Sequence, residues 1–128
     1  MKYTALLGRI LYAAIFLMSG PGHFTQKSIG YAAAQGVPLA FLAVPISGIL
    51  AIAGGLSILL GYKAKYGACL LVIFLVPVTL FMHRFWGVPD TMVMMQKVNF
   101  MKNMSMIGAA LLIANLGSGP LSLDERLN

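Results

Sequence analysis

The side chains able to do chemistry are few, and they fall where apolar runs end. His23 and Phe24 follow the breaker Ser19-Gly20-Pro21-Gly22, and His83, Arg84, Phe85 and Trp86 interrupt the apolar stretch that opens at Phe74. Gln96, Asn99 and Asn103 recur at i, i+3 and i+7, which sets them on one helix face with Lys102 beside them. Polar groups at membrane depth are expensive unless they meet one another, water or a ligand. Histidine, lysine and asparagine donors suit a carbonyl or phosphate oxygen, and Phe85 and Trp86 offer a flat apolar wall. A site for a quinone-like molecule or a lipid headgroup would therefore use His23, His83, Trp86, Asn99, Lys102 and Asn103 as its ligand-binding residues. In the alternative, the same residues form a polar cap that hydrogen-bonds helix ends and anchors a bundle.

Other chemistries fit less well. Two histidines on facing helices suit haem or a metal, but no carboxylate lies nearby to orient them. Met92, Met94, Met95, Met101, Met104 and Met106 crowd one region, and thioethers are soft ligands for copper. In an apolar helix, however, methionines more often fill apolar gaps. No metal set and no catalytic residue is assigned. A Ser-His-acid set lacks a buried acid, and the paired carboxylates Asp124-Glu125 fall on the opposite side. Cys69 stands alone inside an apolar run and reads as an inert small residue.

The elements that must position these residues are four apolar runs, about 4–20, 39–60, 66–82 and 100–116. In 128 residues, 9% are charged and 59% belong to the set AVILMFWYC, far from a soluble domain. Each run is about long enough to cross a hydrocarbon core of ~30 Å. The fold class is all-α: a polytopic membrane protein, a four-transmembrane-helix bundle in one domain over residues 1–128. With four spans, the polar residues above collect at one membrane face.

Arg9 sits too deep in the first run for a signal peptide, so that run is expected to be a retained helix. The Arg9 head is expected to snorkel to the headgroups, with a buried polar partner as the alternative. Thr25–Pro38 reads as a loop lying along the membrane surface. Ser47, Ala51 and Gly55 recur every four residues, with Gly54 adjacent, so the second helix offers a small-residue face for close helix packing. Pro77 frees a carbonyl that Thr79, water or a neighbouring helix must satisfy.

The formal net charge is +6, but the nine basic residues are scattered singly, so anionic lipid fits as a partner and nucleic acid does not. Five basic residues on one side against four on the other leave orientation undecided.

FLMSGPGHF (residues 16–24), YAAAQGVP (31–38), GGLSILLG (54–61), FLVPVTLFMHRFW (74–86), FMKN (100–103) and the closing SLD (122–124) follow one another over nearly the whole chain. As an ordered set they resemble the DoxX family of small four-helix bacterial membrane proteins. That resemblance implies the bacterial inner membrane, a cytoplasmic N-terminus and a polar cluster on the outer side. It also implies an association with redox biochemistry, and so a redox-accessory role beside a partner oxidoreductase; on the residues, a quinone fits better as the ligand than haem or copper. It departs at Ala51, where many relatives carry a glutamate. The alternative function is a structural or assembly membrane protein without ligand chemistry of its own, associating through the small-residue face, as a homo-oligomer or with other proteins.

Overall fold

In a computed structural model, which describes residues 1–128, every regular element is a helix. Helix α1 covers Lys2–Ser19 and runs into a 3₁₀ turn at Gly20–Phe24. Pro21 lies in the first turn of that segment, where its missing N–H costs nothing. Helix α2 follows at Gln26–Ala34, then α3 at Ala40–Leu60, α4 at Ala64–Met82, α5 at Asp90–Leu116 and α6 at Leu123–Leu127.

Helix α2 corrects the expected loop. The Thr25 hydroxyl accepts from the Ser28 N–H at 3.2 Å and caps the helix start, while Gly36 at φ 91° turns the chain after its end. Helix α5 begins well before its apolar run, directly after Pro89, with Asp90 in its first turn.

Three helices are long and apolar enough to cross a membrane: α1 with its 3₁₀ extension, α3 and α4. Helix α5 is longer, at 27 residues, but Gln96, Lys97, Asn99, Lys102 and Asn103 dilute its first half. The expected count of four apolar spans is thereby reduced to three that qualify on composition. Large apolar side chains such as Leu11, Ile49, Ile73 and Leu112 point outward, as they do in proteins solvated by lipid.

Helix α3 is the packing centre. It lies against α1 on one side and α4 on the other, and α5 packs on α4. Its small residues make this possible. A Cβ added at Gly54 would meet Leu71 at 2.7 Å, and one at Gly55 would meet Leu17 at 3.1 Å. The small-residue face is therefore spent inside the chain rather than on association with another. Phe16, Ala51, Ile58, Leu71 and Leu75 belong to the buried apolar centre.

Candidate functional site

Polar side chains gather at two ends of this bundle. At one end, His23 leaves the 3₁₀ turn and its Nδ1 lies 2.8 Å from the Ser47 hydroxyl on α3, which itself donates to the Val44 carbonyl at 2.6 Å. Gly48 permits this approach, since a Cβ there would lie 2.7 Å from that of His23. His83 ends α4 and sets its Nδ1 3.2 Å from the Gln96 side-chain oxygen on α5, while the Gln96 amide donates to the Met82 carbonyl at 3.2 Å. Each histidine thus ties two helices together.

Below these ties lies a cavity of about 210 Å³ between α1, α4 and α5. Ser19, His23, His83 and Asn103 are its polar lining, against Phe16, Phe74 and other apolar side chains. The Phe16 and Phe74 rings meet edge to face at 6.2 Å, and the His23 ring leans on Phe74 at 5.5 Å. Helices α1 and α5 hardly touch beside it, and the Tyr12 hydroxyl spans the gap by donating to the Met106 carbonyl at 2.7 Å.

Of the six residues singled out in the sequence, the structure brings three to this cavity: His23, His83 and Asn103. Trp86 is half exposed and stacks edge-on with Phe85 and Phe100 outside it. Lys102 is exposed and Asn99 half-buried on α5, and neither lines the cavity. Sequence reasoning missed Phe16 and Ser19, although Phe16, Ser19 and His23 stand at i, i+3 and i+7 and so share a helical face. Ser47 was read only as a packing residue.

At the other end the chain after α5 folds back over α1 and the α3–α4 turn. Arg9, 5% exposed, donates from Nη2 to the carbonyls of Pro120 at 3.1 Å and Leu121 at 2.6 Å. It does not snorkel: the buried polar partner is the protein's own backbone. The Asp124 carboxylate accepts from the Lys63 N–H at 2.8 Å and the Ala64 N–H at 3.4 Å, capping the start of α4. Its hydrogen bond from Ser118, with these backbone donors, holds the carboxyl below the usual carboxylate range. Pro77's freed carbonyl is not met by Thr79, whose hydroxyl donates to Leu75 at 2.6 Å instead.

The sequence model of the SURF4 family matches residues 29–128. The chain belongs to that family. The resemblance to DoxX proteins is overturned by this match, and the redox association it implied has no footing in the relatives found. The chain is 30% identical to the inner membrane protein YphA of Escherichia coli over 94% of its own length and 88% of that protein's. It is 33% identical to the inner membrane protein YqjF of the same organism, over 96% of its length and 91% of that protein's. It is also 33% identical to the ER-derived vesicles protein ERV29 of Saccharomyces cerevisiae, over 61% of its length but only 25% of that larger protein's. No solved structure matches the chain. Family membership and the apolar helices make it a multi-pass integral membrane protein, and the two bacterial relatives agree with the expected inner-membrane location.

Proposed function

We propose that this is a structural or assembly protein of the inner membrane, one domain over residues 1–128 that crosses the bilayer four times. One observation carries the reading: four polar side chains at the ends of the bundle tie its own elements together. His83 holds Gln96, His23 holds Ser47, Tyr12 holds the backbone of α5, and Arg9 holds the returning C-terminal segment. For the fourth span, the 27 residues of α5 reach about 40 Å at 1.5 Å per residue. Its far end delivers Ser118 and Asp124 to the face where α1 begins and α3 hands over to α4, which supports a full crossing.

Replacing His83 by alanine tests this. The variant loses a tie between α4 and α5, worth about 1–2 kcal/mol, so its melting temperature in detergent should fall while the small molecules that co-purify stay the same. An unchanged melting temperature together with loss of a co-purifying molecule contradicts the reading.

A second reading has the bundle hold a quinone-like or lipid molecule, serving a partner oxidoreductase or a second copy of the chain. One observation favours its ligand-holding part: Asn103 is 8% exposed, lines the 210 Å³ cavity and makes no side-chain hydrogen bond within the protein.

A further inference from the structure

The walls of the cavity between α1, α4 and α5 specify the chemistry of an occupant. No lysine, arginine, aspartate or glutamate lines it. An unpaired charge in so apolar a space is costly, so the fitting molecule is neutral. An apolar cavity of about 150 Å³ holds a benzene ring, and this one, at about 210 Å³, has room for one substituted ring or a head of similar bulk.

Hydrogen-bond polarity follows from the partners of the two histidines. Ser47 has one hydroxyl proton and gives it to the Val44 carbonyl, so His23 Nδ1 is the donor in its 2.8 Å contact with that oxygen. The Gln96 oxygen only accepts, so His83 Nδ1 is the donor across 3.2 Å. A neutral imidazole with its proton on Nδ1 keeps a bare lone pair on Nε2. Both rings line the cavity and neither Nε2 has a protein partner. Asn103, more than nine-tenths buried, leaves its carboxamide unpaired at the same cavity. An unpaired carboxamide on so buried a side chain favours a bonded molecule in the cavity.

We infer that the cavity binds a neutral, bilayer-borne amphiphile whose head gives a hydroxyl proton to Nε2 of His23 or His83 and offers an oxygen to the Asn103 amide. This rests on the reading in which the bundle holds a ligand, and it narrows that ligand. The head would enter between α1 and α5, which pack loosely, and Phe16 and Phe74 provide the apolar wall. Two sources share the chemistry: a ring bearing phenolic hydroxyls on an apolar tail, and a glyceride with free hydroxyls beside an ester carbonyl.

The test titrates the full chain in mild detergent with decylbenzohydroquinone, decylbenzoquinone, 1-monooleoylglycerol and dioleoyl phosphatidic acid, reading melting temperature and retention by mass spectrometry. The hydroquinone, the monoglyceride or both should bind at one per chain, and which one does so identifies the source. The benzoquinone and the phosphatidic acid should bind at least about tenfold more weakly, having no hydroxyl donor or carrying a charge. Asn103→Leu should weaken the bound probe by about tenfold or more without lowering the melting temperature of the ligand-free protein, because it removes an unpaired buried amide. Binding that does not discriminate among the probes, or that survives Asn103→Leu undiminished, overturns the inference and leaves a ligand-holding bundle. A ligand-free Asn103→Leu protein that melts lower makes Asn103 a structural residue and overturns it too. Retention of no probe removes both the inference and the reading beneath it.

Discussion

Arg9 lies a turn or two inside the first apolar run, and from that position alone snorkelling follows. Its true partners, the carbonyls of Pro120 and Leu121, are more than a hundred residues away, and no local spacing announces them. Beside it, Asp124 ties the returning segment to the start of α4 through Lys63 and Ala64. That carboxyl is held below its ordinary value in the folded protein, first by Ser118 and then by the Lys63 N–H. A group depressed in this way stabilises the fold above its unfolded pKa of about 4, and the stabilisation is lost as pH falls through the lower folded value. Amide hydrogen exchange at Lys63 and Ala64 should therefore show full protection at pH 6, declining below about pH 4. In Asp124→Asn this acid step should vanish; its persistence there would assign the step to another group. His23, His83 and Asn103 were legible as one polar face because apolar periodicity makes each of them conspicuous. Ser19 and Ser47 were not, since small hydroxyl residues are common in membrane helices and only contact shows which of them has a partner.

At the scale of elements, α3 and α4 were readable almost to the residue, because glycine and a lysine-flanked turn bound their apolar runs. Helix α2 was not readable: YAAAQGVP looks like a surface loop until Thr25 is seen capping a helix with Ser28. Ala51, Gly54 and Gly55 were correctly seen as a close-packing face, but period alone cannot say whether the approaching helix belongs to the same chain. Contact distances decide that it does, with Gly54 against Leu71 and Gly55 against Leu17. Gly54→Val should push α3 from α4 and cost about 1–3 kcal/mol, read as a lower melting temperature in detergent. Gly8→Ala, where an added Cβ meets nothing within 4 Å, should be neutral or slightly stabilising. Equal losses in both variants would deny the α3–α4 contact its special role.

For the whole molecule, composition alone established a helical membrane protein, and the structure and its relatives agree. The family was misread for a physical reason. Breaker clusters, glycine pairs and cation–aromatic helix ends are what any bundle of short membrane helices needs, so an ordered set of them marks the environment more than the ancestry. The number of crossings is the claim on which the proposed scaffold rests, because a crossing α5 carries the chain back to the face where Arg9 donates to Pro120 and the Lys63 N–H to Asp124. Single cysteines placed by Lys27→Cys, Lys65→Cys, Lys97→Cys and Arg126→Cys in a Cys69→Ser background can be labelled in intact membranes with an impermeant thiol reagent. Four crossings predict that positions 27 and 97 react from one side and positions 65 and 126 from the other. Labelling of position 126 from the same side as 97 would mean that α5 does not cross, and would contradict the four-span scaffold.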